Sequence, residues 1–139
     1  DSLGHEAGDT LLAEMARRMR ECLRDGDAVC RMGGDEFLAF AGSLSADGIE
    51  APRLTARLVE ELSRPVQVGG RELVCTASIG VSVFPQDAKN IEALIRHADE
   101  AMYAAKDRGR NLFTLFRPEM GRMTDKRLEL ELELRQALR

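Results

Sequence analysis

Apolar side chains recur along this chain at spacings that switch between helical and extended periods. Over residues 9–24, Leu11, Leu12, Met15, Met19, Cys22 and Leu23 fall at helical intervals, and Arg17, Arg18 and Arg20 read as the opposite, solvated face. Asp9 or Thr10 suits the start of that helix and Gly26 follows its end. Ala28-Val29-Cys30-Arg31-Met32, then Gly33-Gly34, then Asp35-Glu36-Phe37-Leu38-Ala39-Phe40 reads as a hairpin turning on two glycines. A second helix is expected over 52–63, through Leu54, Leu58, Val59 and Leu62, with Pro65 ending it. Val66-Gln67-Val68 and a long alternating run from Leu73 to Val83 predict a further hairpin around Gly69-Gly70. Ile91, Leu94, Ile95, Ala98, Met102 and Ala105 predict a third helix over 91–107, closed by Gly109, and Leu112–Phe116 predicts a last strand.

The pattern changes after Pro118. Leu128, Leu130, Leu132 and Leu134 alternate with acids, yet Leu, Glu, Arg, Gln and Ala are strong helix formers, and i,i+4 stripes Leu128/Leu132 and Leu130/Leu134/Leu138 are available. A helix leading out of the domain is expected there. The fold class is therefore α+β, with helices packed on a mainly antiparallel central sheet. The expected division is a domain over 1–117 and a helical linker over 118–139.

Composition narrows the classes of function. At 139 residues there is material for one domain with its own core, and that core must be aliphatic, because the aromatics are five Phe and one Tyr with no Trp. The net charge of −4 argues against broad electrostatic binding of nucleic acid. No apolar run reaches the length of a membrane span, and no leader pattern opens the chain at Asp1. The abrupt start reads as a piece of a longer protein. Cys22, Cys30 and Cys75 show no CxxC spacing and read as reduced, core-filling residues of a cytoplasmic domain.

Chemistry concentrates at the first hairpin. Asp35 and Glu36 adjoin the turn, and neighbouring carboxylates are costly to hold together unless a cation compensates. Gly33 and Gly34 offer backbone that a phosphate can approach without meeting a Cβ, and Arg31 could face the same anion. A solvated hairpin end with ordinary surface acids is the plainer reading of the same residues.

Resemblance adds specificity. Arg31-Met32-Gly33-Gly34-Asp35-Glu36-Phe37 resembles the signature of the GGDEF diguanylate cyclase family. Leu3-Gly4-His5-Glu6-Ala7-Gly8-Asp9-Thr10-Leu11-Leu12 is similar to its GHxxGDxxL segment, Thr76–Ser82 to its SIGV strand, and Ala98–Asn111 to its ADxAMYxAKxxGRN helix end. Four motifs in the family's order cover residues 3–116. The resemblance implies a domain, with a fold like the nucleotidyl cyclases and polymerase palms, that condenses two GTP into cyclic di-GMP as a homodimer using Mg2+ or Mn2+. It implies that Asp35 is the metal ligand and proton acceptor, with Glu36 supporting metal or substrate. It implies phosphates approached by Gly33 and Gly34, guanine read by Asp9, and terminal phosphates held by Lys106 and Arg110, which as i,i+4 residues would share a helix face.

Arg24-Asp25-Gly26-Asp27 resembles the family's RxxD inhibitory product site, five residues before the glycines, with Arg53 or Arg57 as candidates to complete it. Two charged residues at a helix end is the plain alternative. His5 is expected to pack or hydrogen-bond rather than catalyse, and His97 has no partner visible in sequence. The family's opening strand, with a DxDxFKxxN pattern that would lie mid-sheet, has no counterpart among these residues. The leucine-rich tail resembles the helix that joins GGDEF to EAL domains, which implies a GGDEF–EAL tandem protein. Within that frame two functions stand: an active cyclase, and a module that binds GTP or cyclic di-GMP and regulates an attached phosphodiesterase, with a purely dimerising domain as a third.

Overall fold

The computed structural model describes residues 2–42, 44, 49–120, 130 and 132–137. The chain divides into two compact units, Asp1–Ala77 and Ser78–Arg139.

In the first unit, α1 spans Ser2–Cys22, β1 Ala28–Gly33, β2 Glu36–Phe40, α2 Glu50–Leu62, β3 Val66–Val68 and β4 Arg71–Leu73. Helix α1 begins seven residues before the expected start at Asp9. The Thr10 side chain does not cap it; its hydroxyl lies inside the helix and donates to the Glu6 carbonyl at 2.9 Å. Helices α1 and α2 pack on each other, and β3 packs on α1. Their shared core is Met15, Met19 and Cys22 from α1, Ala51, Leu58 and Leu62 from α2, and Val66 and Val68 from β3. The α2 positions 51, 55, 58 and 62 are all buried, the spacing of one helical stripe. Pro52 is tolerated because it falls in the first turn, where its missing N–H has no intrahelical acceptor to lose.

Arg18 overturns the solvated-face reading. It is only 6% exposed. Its guanidinium donates to the carbonyls of Glu61 (3.0 Å), Arg64 (2.7 Å) and Pro65 (2.9 Å), and its Nε to Glu14 Oε1 (3.1 Å). These are carbonyls at and just past the C-terminal end of α2, where regular i+4 donors run out and the helix dipole has its negative pole; Glu61 O also takes a long bond from Arg64 N at 3.4 Å. A cation from α1 thus closes the end of α2.

The strand expected from Leu73 to Val83 is two strands. Ladder β3–β4 is antiparallel and pairs Val66 with Leu73. The next partner in register for Val74 would be Pro65, which has no N–H to donate, so the ladder stops and Val74 is 65% exposed. Pairing resumes in the second unit, where β5 (Ser78–Val81) runs parallel to β6 (Leu112–Leu115), with α3 (Ile91–Asp107) as the crossover. The class is α+β as expected, and among the described residues the β structure is three two-stranded ladders, two antiparallel and one parallel.

Helix α3 matches its expected bounds. Asn90, extended at φ −144°, accepts a hydrogen bond from Ala93 N at 2.8 Å and caps its start. The helix lies directly on β5: a Cβ at Gly80 would fall 2.0 Å from the Ala98 carbonyl oxygen and 2.1 Å from Met102 N. Ala101 and Ala105 are fully buried. His97, partnerless in the sequence reading, stacks on Phe116 with ring centroids 4.1 Å apart, and its Nδ1 lies 2.7 Å from the Asp87 carbonyl oxygen.

Residues 132–137 are helical, in keeping with the helix expected beyond Pro118, and Leu130, Leu132 and Leu134 are exposed. Leu128 and Leu138 lie outside the described residues. No helix among the described residues is long and apolar enough to cross a membrane.

Candidate nucleotide site

The β1–β2 hairpin sets the site's geometry. Its register pairs Arg31 with Phe37 and then Gly33 with Glu36, an irregularity that leaves Met32 outside the ladder and 60% exposed. Gly33 and Gly34 take φ of 152° and 53°, values that disfavour a side chain, so this tip requires its glycines. A Cβ built on either would meet nothing within 4 Å. The backbone at the tip is therefore open to an approaching group.

Asp35 and Glu36 sit at that tip, exposed. Among the described residues no group of three or more His, Cys, Asp or Glu converges to hold a metal. The local donor set is two hard carboxylates. That suits a cation of the Mg2+ type, which keeps several waters and takes one or two carboxylates together with substrate phosphates, and it does not suit an all-protein cage.

Behind the tip, the first unit holds a cleft of about 450 Å³. Asp9, Ala13 and Arg20 line it from α1, and Val29, Arg31 and Phe37 from the hairpin. The structure thus brings two of the sequence-nominated residues, Asp9 and Arg31, to one cavity. Arg20 was not among them: its position on the charged side of α1 gave no signal, and only the approach of the hairpin makes that side a wall. Arg31 Nε also donates to the Gly34 carbonyl at 2.8 Å.

Lys106 and Arg110 lie in the second unit, and their shared helix face is not observed. Helix α3 ends at Asp107, Gly109 turns at φ 121°, and Arg110 itself is left-handed at φ 67°. Arg110 N donates to Ala105 O and Gly109 N to Lys106 O, the paired bonds of a Schellman C-cap. Lys106 Nζ stands 5.4 Å from the centroid of the Tyr103 ring.

At the other end of β1, Arg24 and Asp27 form a turn. Asp27 accepts from Arg24 N through Oδ2 and from Gly42 N through Oδ1, both at 3.0 Å. These bonds, Gly42's first, hold its carboxyl below the ordinary range. Arg24 is 64% exposed in its side chain, with Nη2 3.8 Å from Glu50 Oε1 at the start of α2. Arg53 and Arg57 are both exposed on α2. Cys22 fills the core as expected, with its thiol pKa raised chiefly by burial, whereas Cys30 is exposed and Cys75 half-buried. Cys30 alternates along β1 with Val29 and Arg31, which line the cleft against α1, and so falls on the hairpin's other face. All three are free thiols.

The family described as "Diguanylate cyclase, GGDEF domain" matches residues 1–112. The cyclic di-GMP phosphodiesterase NbdA of Pseudomonas aeruginosa is 43% identical over all 139 residues, which are 18% of that protein. The diguanylate cyclase TpbB of the same species is 40% identical over 111 residues, covering 79% of this chain and 25% of TpbB. A solved structure of TpbB comprising only its GGDEF domain superposes with a TM-score of 0.84 at 36% identity, covering 90% of this chain and 73% of that one. The chain spans about a fifth to a quarter of the length of these curated relatives. A match over most of the chain and a shared fold at this identity agree with the motif order, and the chain belongs to the GGDEF domain family.

Proposed function

We propose that this chain is the working domain of a diguanylate cyclase, acting on GTP in the cytoplasm. The observation that carries the reading is the hairpin tip: two adjacent exposed carboxylates on a turn of two positive-φ glycines with open space above them. That arrangement displays acid groups to a ligand while leaving the backbone accessible to phosphate.

In this reading Asp9 pairs with guanine N1–H and N2–H. Adenine lacks that donor edge and would leave the carboxylate unpaired, which selects GTP over ATP. Arg31 stands with Asp9 on the cleft, Gly33 and Gly34 lie along the phosphates, and Lys106 and Arg110 neutralise the terminal ones. Asp35 takes the proton of a 3′-hydroxyl as its oxygen attacks the α-phosphorus of a second GTP. The new O3′–P bond replaces the α–β phosphoanhydride, and pyrophosphate leaves. Two such steps close the ring, and because each nucleotide is held by its own domain, the acting unit is a homodimer. Asp35, with Glu36 beside it, would hold Mg2+ or Mn2+, which supplies neutralisation of phosphate charge when bound.

Arg24 and Asp27 form the inhibitory site for cyclic di-GMP. Each Asp27 oxygen accepts one backbone bond, and a carboxylate has about four acceptor sites, so capacity for a guanine edge remains. The domain proper is 1–117, and 118–139 leads toward an EAL domain in a longer protein.

A second reading is a nucleotide-binding module that regulates an attached phosphodiesterase. The alignment of all 139 residues with a part of NbdA, whose name is that of a phosphodiesterase, favours it. The natural full-length protein incubated with GTP and Mg2+ decides between the two. Cyclic di-GMP is the expected product, with none once Asp35 is replaced by Ala. GTP binding without product would leave the regulatory reading, and equal affinity for ATP would overturn the guanine assignment.

A further inference from the structure

We propose that Arg31 is a positioning residue that locks the Gly34–Asp35 turn into the geometry that binds the metal. The proposal rests on the metal-bearing role of Asp35 given above. Between the paired residues Arg31 and Gly33 the β1–β2 register shifts, so the ladder does not carry regular pairing up to the tip. Two positive-φ glycines follow, the residues with the most backbone freedom to lose. A hairpin end built this way needs something other than the ladder to fix it.

Arg31 supplies that restraint. Its Nε–H donates to the Gly34 carbonyl at 2.8 Å, and Gly34 is joined directly to Asp35. The bond spans the irregular step and closes the turn from the side-chain direction. A guanidinium is planar and rigid, so fixing Nε fixes the plane of its two terminal nitrogens as well. Among the described residues those nitrogens make no hydrogen bond, and Arg31 is one of the residues lining the cleft that Asp9 also lines. One residue therefore meets both the turn that bears the carboxylates and the cavity beside it. A group that orients a metal-binding carboxylate without touching the ion affects affinity through geometry, and removing such partners commonly costs about 10–100-fold.

The test is Mn2+ binding to the natural full-length protein without nucleotide, followed by electron paramagnetic resonance, for the parent, Arg31→Ala and Arg31→Lys. Arg31→Ala is expected to weaken Mn2+ binding at least tenfold and to lower kcat with GTP by more than it raises KM. Arg31→Lys keeps a donor that can reach the Gly34 carbonyl and is expected to recover part of the Mn2+ affinity, which also covers the case in which the Ala variant fails to fold. Unchanged Mn2+ affinity in folded Arg31→Ala, or in Arg31→Lys with a raised KM alone, would make Arg31 a substrate contact and overturn the proposal. A parent protein that binds no Mn2+ would instead remove the reading of Asp35 on which the proposal stands.

Discussion

Asp27 reaches across fifteen residues to accept a hydrogen bond from the backbone N–H of Gly42, tying the loop after α1 to the chain just past the end of β2. With its second bond, from Arg24 N, the carboxylate belongs to the hairpin's frame as well as to the RxxD motif. Its pKa is lowered from 3.8, so its stabilisation is present above the unfolded value and is lost as pH falls through the folded one. Asp27→Ala is expected to melt below the parent at neutral pH, and the gap is expected to close as pH drops through the range below 3.8. Thermal melts across that range check the sign.

Arg24 is mostly exposed and its pairing with Glu50, at 3.8 Å, is long. A surface ion pair of that kind contributes little to stability. Arg24→Ala is therefore expected to leave the melting temperature and the initial rate with GTP nearly unchanged while shifting inhibition by cyclic di-GMP to higher concentration. Initial rates at increasing product are the measurement.

Arg18 is a structural cation. Replacing it with Ala removes a donor from three carbonyls near the α2 terminus, of which Glu61 O keeps only long backbone contacts, at a cost on the order of 2–4 kcal/mol. Lys at this position brings a single ammonium where a guanidinium fork reaches several acceptors, so it is expected to restore only part of the loss. Urea unfolding of the parent and both variants gives the order.

Gly80 leaves no room for a methyl group against the α3 backbone. Backbone atoms cannot swing aside as a side chain can, so Gly80→Ala is expected to cost at least about 2 kcal/mol. Loss of activity in this variant should track the unfolded fraction by circular dichroism.

Much of this was legible in the chain. The α3 boundaries followed from Ile91 to Ala105 at helical spacing ahead of Gly109, and the hairpin followed from Gly33-Gly34 between apolar runs. Asp9 and Arg31 were nominated by motif before the cleft showed them together. The start of α1 was obscured because Gly4 and Gly8 are weak helix formers, and tertiary packing outweighs that weakness. Arg18 was misread because charge suggested solvent, although it stands three residues after Met15 and four before Cys22, on the buried stripe. The broken strand after Leu73 was invisible locally, since its cause is Pro65, immediately before the partner strand. Parallel pairing of β5 with β6 likewise depends on where α3 returns the chain, which alternation alone does not encode.

The left-handed backbone of Arg110 has an evolutionary consequence. At φ 67° a glycine would sit without the Cβ penalty of roughly 1 kcal/mol that any other residue bears. Arg110→Gly is thus expected to survive a screen for thermal tolerance, melting no lower than the parent within about 1 kcal/mol. The same variant is expected to fail a screen for GTP turnover if the guanidinium meets phosphate. Directed evolution under heat alone would drift toward glycine here, and only simultaneous selection for catalysis would retain the arginine.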